Sequence, residues 1–410
     1  MQRLESYTPY QFALFRIGLG LLILFCLVPM LWHGTALFSD QSMVANPELN
    51  WTYGYLYNPL DTYDSPAVIT AVIASSIIFA LGFTFGVFRR TSALLLYVGW
   101  TCLFNRNNFI NHPGISFVGW LLLASTLVPL GEPLSLGARS VQLKDDWFMP
   151  RALFVGAWLV MAFSYTLSGV LKAASPSWID GTAIYYVVRT ANTYQWWFAD
   201  WLRDLPLPFW KLMNWGTLAL EILFLPLCLF SRGRMIASLG MVGLHVGIAT
   251  FFDFIELTLS LMVVHFFTFD SRWFSARKVS DKQPIIFYDG VCGLCDGFVQ
   301  FVLSEDVSRV FKLAPLQGET ARELLGDDAN SMHSIILVDE TGKRFERSAA
   351  VLRILSWMGG LWWFARVCWI IPGFIRDAIY RLVAHYRYSI FGKYDACKLP
   401  SDKDKARFLD

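Results

Sequence analysis

Hydrophobic positions are unevenly distributed along the chain and divide it into two parts. Long apolar runs fill residues 1 to about 270, whereas charged residues recur every few positions from about residue 283 onward. A helix that crosses a bilayer needs about 20 mainly apolar residues, so the first part predicts a polytopic α-helical membrane bundle of about eight spans. The predicted spans lie near residues 11–33, 66–88, 92–109, 114–131, 152–173, 209–231, 235–251 and 255–271.

Basic residues in the loops predict the orientation of these spans. With the amino terminus inside, most loop Lys and Arg residues lie on the inner side, and the first outer loop, residues 35–65, contains none. Residues 176–206 mix tryptophans with Asp and Arg and predict helices that lie along the membrane surface. The protein is therefore predicted to be integral to a bacterial-type plasma membrane, embedded in the lipid bilayer, with its amino terminus and its C-terminal part in the cytoplasm.

The second part alternates short β-branched and aromatic runs with helical spacings. Strands are predicted at PIIFYDG, FKLAPL, SIILVDE and RFE, and helices at CDGFVQFVLS, residues 319–325 and AAVLRILSWMG, the last with Ser348 as its N-cap. This β-α-β-α-β-β-α order is typical of a small α/β domain with a mixed sheet. We therefore predict a membrane domain at 1–274, a polar linker at 275–283, an α/β domain at 284–400 and a polar tail at 401–410.

One apolar stretch in the second part, residues 354–374, is long enough to resemble a ninth span. Arg366, a pair of glycines and Pro372 interrupt it, and a ninth span would place the carboxyl terminus outside. We therefore predict helices that pack on the domain core or dock on the membrane, with the tryptophans of this stretch at the contact.

Composition and charge narrow the functional classes. The 410 residues are 55% hydrophobic and 16% charged, whereas soluble domains carry about a quarter charged residues. The net charge of +2 predicts no nucleic-acid partner. The seven cysteines are an odd and scattered set, which argues against an extracellular disulfide framework.

The stretch YDGVCGLCDGF, residues 288–298, contains two cysteines three positions apart at a predicted strand-to-helix junction. The positive end of a helix favours the thiolate, which is the nucleophile in disulfide exchange. We assign Cys292 as the nucleophile, Cys295 as the resolving thiol and Asp289 as a flanking carboxylate that could accept a proton but opposes a thiolate charge.

Two alternatives to a redox pair were weighed. Half of a zinc site would need a second Cys or His pair with ligand spacing, and none is present, so no metal is predicted. An inert pair of packing cysteines is the other alternative. Cys397, in YDACKLP, is either a third redox thiol or a buried packing residue.

Residues 284–400 resemble the DCC family of thioredoxin-like thiol-disulfide oxidoreductases. The resemblance is carried by FYDGVCGLC, FKLAPLQG, RSAAVLRIL and IPGFIRDAIYRLVAHYRYSIFGKYDACKLP. The family name refers to an Asp-x-x-Cys-x-x-Cys core, here Asp289, Cys292 and Cys295. The resemblance implies a thioredoxin-like fold and protein-disulfide reductase activity toward a thiol- or disulfide-bearing protein or a small thiol. One departure is that SMHSI, before the third strand, lacks the proline that thioredoxins generally place there.

Lys172 ends an apolar helix in SGVLKAASPSWIDGTA, where an ammonium is costly unless it faces protein, water or the interface. It is either a base or a lysine that extends toward the headgroups. Residues 8–271 resemble the HTTM domain shared with vitamin K-dependent gamma-carboxylases, in LFRIGLG, NRNNFINHPG, LEILFLPL and GLHVGIATFFDF. The resemblance implies that Lys172 is a base acting on a quinol and that His112 falls near a histidine of the carboxylase site.

Other polar residues within the spans have mainly structural interpretations. Arg16 and Glu221 are predicted to pair with each other inside the bundle. His245 is either a core histidine or a hydrogen-bond donor to a quinone, and His265 is predicted to be solvated at a span end. A quinone or quinol in the membrane domain is the candidate cofactor, and no other cofactor is predicted.

The leading hypothesis is a membrane-anchored thiol-disulfide oxidoreductase whose membrane domain binds a quinone or lipid-like substrate. The alternatives are a carboxylase-like quinol-dependent enzyme with the dithiol as regulator, and a non-enzymatic transport or maturation factor. Lys172 and Cys292 are predicted on opposite faces of a bilayer core about 30 Å thick, so direct coupling between them is not expected.

Overall fold

The computed structural model describes residues 3–4, 6–42, 45–49, 53–138, 147–191, 193–278, 282–326, 335–394 and 404–409. Cys397 lies outside these residues. The chain divides into two compact units, Met1–Phe269 and Asp270–Asp410. Each unit is described by itself below.

The N-terminal unit is helical apart from a two-stranded antiparallel pair, β1 (Arg3–Leu4) with β2 (Met149–Pro150). Its α-helices are α1 (Pro9–Leu27), α2 (Met30–Phe38), α3 (Pro66–Phe85), α4 (Arg89–Phe104), α5 (Pro113–Leu127), α6 (Arg151–Ala173), α7 (Pro176–Ile179), α8 (Ala183–Val187), α9 (Trp197–Arg203), α10 (Leu207–Ile222), α11 (Phe224–Cys228), α12 (Ser231–Phe251) and α13 (Ile255–Phe267).

Four of these helices are long and apolar enough to cross a membrane: α1, α3, α6 and α12. The helices α5 and α13 are shorter and apolar. The described residues therefore support a helical unit with several membrane-compatible helices, without establishing eight spans. Prolines explain why α2 and α11 are separate short helices. Pro29 separates α1 from α2, and Pro226, which has no N–H for the carbonyl of Ile222, follows the end of α10.

A buried ion cluster joins the middle of α1 and the start of α4 to the loop after α5. The Nε atoms of Arg16 and Arg89 lie 3.4 Å and 2.8 Å from Oε1 of Glu132, and all three side chains are almost fully buried. Arg89 also donates to the carbonyls of Val128 and Pro129 at 2.8 and 2.9 Å. The predicted pairing of Arg16 with Glu221 is therefore wrong, because Glu132 and nearby carbonyls satisfy Arg16.

The C-terminal unit contains a four-stranded mixed sheet in the order β4-β3-β5-β6. Strand β3 pairs parallel with β4 and antiparallel with β5, and β5 pairs antiparallel with β6. The strands are β3 (Ile285–Tyr288), β4 (Lys312–Pro315), β5 (Ile336–Val338) and β6 (Arg344–Glu346), and the α-helices are α14 (Gly293–Glu305), α15 (Glu319–Leu325), α16 (Arg347–Met358) and α17 (Gly373–Phe391). The predicted order of strands and helices is observed.

Alternation along the strands builds a core on each face of this sheet. Ile286, Leu313 and Leu337 face a core that includes Val299 of α14 and Ile354 of α16. Phe287, Ala314 and Ile336 face the opposite side, with Ala321 and Leu325 of α15. The central strand β3 is thus buried on both faces and gives the following loop a fixed position.

Two details of the second unit differ from or extend the prediction. Helix α16 begins at Arg347 with Glu346 as N-cap, so the prediction of Ser348 as N-cap is wrong. The Ser348 hydroxyl donates instead to Asp377 of α17 at 2.5 Å. The apolar stretch 354–374 is broken at Gly359 and Gly360, which have φ angles of 73° and 55°, and continues as a 3-10 helix, Gly360–Ile370. Trp362 in that segment donates to Glu305 at 2.7 Å.

Candidate functional site

The two cysteines of the C-terminal unit lie where β3 ends and α14 begins. Cys292 is the N-cap residue of α14, with extended φ and ψ angles of −93° and 122°, and its carbonyl accepts the first helical hydrogen bond from Asp296 at 2.9 Å. Cys295 lies one turn further along, in the first turn of the helix. The parallel partner β4 ends at the same edge of the sheet, so the pair is held at the carboxyl ends of two parallel strands.

Both cysteines are free thiols and both are buried, with 0% of Cys292 and 7% of Cys295 exposed. Burial, followed by a hydrogen bond with Cys292, raises the pKa of Cys295 well above its ordinary value. Cys295 is therefore a thiol at neutral pH. Because only a thiolate attacks a disulfide, the raised pKa disfavours Cys295 as the first nucleophile.

Asp289 lies in the loop between β3 and Cys292 and is held from both of its oxygens. Oδ2 accepts hydrogen bonds from the Tyr388 hydroxyl at 2.5 Å and from Nη2 of Arg387 at 3.2 Å. Oδ1 accepts from the backbone N–H of Val291 at 3.2 Å and from the Gln317 amide at 3.1 Å. The carboxylate thus ties the loop to the segment that follows β4 and to α17.

The surroundings of Asp289 fix its charge. Burial opposes ionisation, but hydrogen bonds from Tyr388, Val291 and Gln317, together with the charge of Arg387, outweigh it, so the pKa of Asp289 lies below its usual value. A carboxylate that stays ionised at neutral pH is a poor proton acceptor. In this site Asp289 acts as a fixed anion that orders the loop, and Arg387 compensates the negative charge it places beside the sulfurs.

Arg387, Tyr388 and Gln317 were not singled out from the sequence. Arg387 is 98 residues from Asp289, and no local spacing connects the two positions. The sequence did contain an indication, because LQG and AHYRYS belong to the stretches that carry the DCC resemblance. Burial lowers the pKa of Arg387, but the hydrogen bond with Tyr388 and the Coulombic interactions with that residue and with both cysteines outweigh it, so the pKa lies above its ordinary value.

A short backbone segment, Gly392–Tyr394, lies over the start of α14, and we call it the strap. The N–H of Gly293 donates to the carbonyl of Gly392 at 3.2 Å, and the N–H of Tyr394 donates to the carbonyl of Val291 at 2.8 Å. Lys393 forms an antiparallel bridge with Cys292. A Cβ atom on Gly293 would lie 2.2 Å from the Phe391 carbonyl oxygen, so glycine permits this close approach. The strap therefore pairs with the backbone at Cys292, whose side chain belongs to the core of the domain.

In the N-terminal unit, Lys172 lies at the end of α6 and is paired with a residue of α10. Its Nζ is 2.8 and 3.0 Å from the two carboxylate oxygens of Glu221 and 2.6 Å from the Ser168 hydroxyl. The same ammonium lies 5.6 Å from the centre of the Trp178 ring. The costly charge predicted at this position is therefore compensated by protein groups.

The Lys172–Glu221 pair lines a cavity of about 530 Å³. The remainder of its wall is mainly apolar and comes from α8, α10 and α12 and from residues near them. Gly243 and Gly247 of α12 and Gly216 of α10 face open space, since a Cβ atom on any of them would meet nothing within 4 Å. A cavity that is apolar with few polar groups at one end fits a hydrophobic ligand with a polar end.

The other two residues predicted for a quinone site do not line this cavity. His112 is the N-cap residue of α5. His245 is buried and lies 2.9 Å from the Tyr165 hydroxyl, which also lies 3.1 Å from His265. His265 contacts Ser238 at 3.0 Å and is 3% exposed, so the prediction that it is solvated is wrong. Within the described part of the chain, the structure does not unite Lys172, His112 and His245 in one pocket.

A metal centre is not apparent in either unit. Among the residues that the structure describes, no group of three or more His, Cys, Asp or Glu side chains could hold a metal ion.

Comparisons with known proteins concern the part of the chain that carries the dithiol. The family described as DCC1-like thiol-disulfide oxidoreductase matches residues 286–393. The chain is 33% identical over 135 residues to the uncharacterized protein YuxK of Bacillus subtilis (strain 168), covering 32% of the chain and 98% of that relative. It is 37% identical over 125 residues to the DCC family protein At1g52590, chloroplastic, of Arabidopsis thaliana, covering 29% of the chain and 71% of that relative. No solved structure matches the chain.

Proposed function

Because the chain belongs, through its C-terminal domain, to the DCC1-like thiol-disulfide oxidoreductases, we propose that Cys292 and Cys295 carry out thiol-disulfide exchange on a domain anchored to a membrane. The observation that carries this proposal is the position of Cys292 at the N-cap of α14, with the buried Cys295 one turn away. The apolar helices of the N-terminal unit supply the anchor.

The exchange proceeds in two attacks. The Cys292 thiolate attacks a substrate disulfide, so that one substrate sulfur leaves as a thiolate and the other remains bonded to Cys292. Cys295 then loses its proton and attacks the Cys292 sulfur, which releases the second substrate thiol and leaves a Cys292–Cys295 disulfide. Two electrons have passed from the domain to the substrate. Two thiol groups, from a protein dithiol or from two small-molecule thiols, restore the dithiol by the same steps in reverse and leave as a disulfide.

The surroundings of the pair support this division of work. Cys292 lies at the positive, N-terminal end of α14, and the charge of Arg387 interacts with both cysteines. The raised pKa of Cys295 keeps that sulfur protonated until a mixed disulfide has formed. Asp289 keeps Arg387 and the loop in place through four hydrogen bonds.

The proposal includes a thioredoxin-like fold for the C-terminal domain and a cytoplasmic location for it. The strand order β4-β3-β5-β6, with the dithiol after the first strand, supports a thioredoxin-like domain. The loop charges support a cytoplasmic C-terminal domain and about eight spans. A cytoplasmic dithiol would act mainly as a reductant, since cytosolic thiols are kept reduced.

Trapping experiments on the full chain in nanodiscs test the exchange. The variant Cys295→Ser should accumulate a mixed disulfide with a model disulfide at Cys292, and Cys292→Ser should accumulate none. Cys368→Ser, which removes an exposed cysteine of the same unit, should behave as the parent chain. A mixed disulfide that forms equally well in Cys292→Ser would refute the assignment of the nucleophile.

The cavity beside Lys172 supports a second candidate function, the binding of a quinone or lipid-like substrate by an HTTM-like membrane domain. Lys172, held by Glu221, would contact the polar end of such a molecule, while the glycine-lined wall of α12 would accommodate its apolar part. Filling the cavity with Gly243→Leu should abolish binding of a fluorescent quinone analogue, whereas Gly156→Leu, at another open helical position, should not. Equal binding by both variants would exclude this cavity as the binding site.

A further inference from the structure

Helix α17 has two faces of different character. Its inner face contacts the domain, through the Tyr380 hydroxyl, which accepts from the N–H of Ile335 at 3.0 Å, through Asp377, and through Arg387 and Tyr388 at the dithiol. The opposite face presents a row of large exposed apolar side chains. At helical spacing along that row lie Ile375, Ile379, Leu382, Val383, Tyr386 and Ile390.

The apolar surface continues beyond the helix. Ile370, at the end of the 3-10 helix, is 82% exposed, and Phe374, in the first turn of α17, is 74% exposed. A soluble domain rarely exposes a contiguous apolar surface of this length, and such a surface marks an interaction site. We call the row on α17 together with Ile370 and Phe374 the outer apolar face.

Charge around the outer apolar face identifies its partner. Arg376 and Arg381 lie on the flanks of the helix, and Arg366 and Lys393 are exposed near its two ends. Asp377 is the one acidic residue between 359 and 394, and it is turned inward to Ser348. Arg376 also lies 4.3 Å from the centre of the Trp369 ring. Apolar side chains fringed by cations and tryptophan match the boundary between acyl chains and anionic headgroups.

The course of the chain favours the same partner. Helix α13, an apolar helix of the N-terminal unit, ends at Phe267, and residues 268–284 alone separate it from β3. If the N-terminal helices lie in a membrane, as proposed above, the domain is held close to a lipid surface at a high effective concentration. A lipid surface therefore needs no recruitment step, whereas a protein partner does.

We propose that the outer apolar face docks the C-terminal domain onto an anionic lipid surface. This inference rests on the proposed membrane anchorage and extends it, since the domain is then a surface-bound part of the protein rather than a freely tethered one. Helix α17 connects the bilayer to the dithiol, because its inner face holds Asp289 and its end leads into the strap over Cys292.

Photo-crosslinking of the full chain in nanodiscs tests the docking. The photoreactive residue p-benzoylphenylalanine replaces Ile379 or Ile390 on the outer apolar face, or Val307, an apolar residue of the same domain that is 59% exposed and not on α17. Lipid adducts, identified by mass spectrometry, should form at Ile379 and Ile390 but not at Val307. Adding phosphatidylglycerol to phosphatidylcholine nanodiscs should raise the yield of lipid adducts about fivefold. Arg381→Glu should abolish this increase, and Arg381→Lys should preserve it.

Other crosslinking products would overturn the proposal. Adducts with a second copy of the chain, with another protein or with residues 1–269 would show that a protein surface covers the outer apolar face. Equal lipid adducts at Val307 would show that no face is selected. Extraction with alkaline carbonate separates this failure from failure of the anchorage, because an anchored chain stays in the membrane fraction even when Ile379 forms no lipid adduct.

Discussion

In the C-terminal unit, Arg387 and Asp289 form a closed ion pair beside the dithiol, whereas in the N-terminal unit Lys172 and Glu221 stand at the wall of an open cavity. The Arg387 side chain is 5% exposed and the Lys172 side chain is 29% exposed. A closed pair fixes geometry and charge, since removing either partner leaves an uncompensated buried ion. An open pair keeps one partner accessible to a ligand. The same type of interaction thus has an organising role in one unit and is available for binding in the other.

The largest effect should separate the two units by activity. Replacing the nucleophile in Cys292→Ser should lower the rate of model-disulfide reduction by about a thousandfold or more, because Cys292 alone, among the cysteines that the structure describes, is the N-cap residue of a helix. Lys172→Ala should leave that rate within about twofold. Both rates can be measured with full-length protein in nanodiscs. A loss of reduction in Lys172→Ala comparable to that in Cys292→Ser would contradict the separation and indicate coupled sites.

The next effect concerns the closed pair. Arg387→Met should destabilise the C-terminal unit by about 3–5 kcal/mol, because Asp289 remains buried without its cation. Asp289→Asn in the Arg387→Met background should recover part of this loss, since the amide needs no countercharge. The measurement is alkylation of Cys295 in increasing urea, which reports exposure of the core. If the double variant is no more stable than Arg387→Met, the charge of Asp289 is not the cause.

Acid should act on the same pair. The pKa of Asp289 is lowered in the folded protein, so its stabilising contribution is present above the pKa of an unfolded Asp, about 3.9, and is lost as pH falls through the lower folded value. We expect the urea midpoint of the C-terminal unit to fall as the pH is lowered below about 4. Asp289→Asn should remove that component of the pH dependence. An unchanged slope in the variant would assign the acid sensitivity to other carboxylates.

The smallest effect on the rate of thiol-disulfide exchange should come from filling the cavity beside Lys172 and Glu221. Gly243→Leu adds a side chain that points into open space, so the free energy of unfolding should change by no more than about 0.5 kcal/mol. The rate of disulfide reduction should not change. Binding of a quinone analogue should be lost in the same variant. The matched control is Gly156→Leu, which should change neither property. Strong destabilisation by Gly243→Leu but not by Gly156→Leu would mean that the cavity wall is packed in the folded protein.

How much could be predicted also differs between the units. Strands, helices and the position of Cys292 at a helix start follow from local patterns, since residue alternation and the Cys-x-x-Cys spacing act over a few positions. The contact of Arg387 with Asp289 spans 98 residues and depends on how α17 packs, which no local pattern specifies. The N-cap of α16 was misplaced because Ser348 is drawn to Asp377 of a helix that follows later in the chain.

In the N-terminal unit, hydropathy predicted apolar helices but not their neighbours. Arg16 could pair with any buried acid, and its actual partner, Glu132, lies in a loop after α5 rather than in a span. Lys172 was recognised because a charge at the end of an apolar helix is unusual. Its partner Glu221 was also noted as a buried charge but assigned to Arg16, because the packing order of α6 and α10 is a tertiary property.

The strap over Cys292 has a consequence for selectivity. Its two backbone hydrogen bonds and the bridge at Lys393 join the start of α14 in the manner of an added strand. Cys292 has no exposed surface, so a small oxidant reaches its sulfur only when the surrounding segments move apart. A polypeptide carrying a disulfide could instead replace the segment with its own extended backbone, forming the same hydrogen bonds as it arrives. The domain would then recognise the main-chain conformation of its substrate rather than the side chains, and it would accept substrates of many sequences.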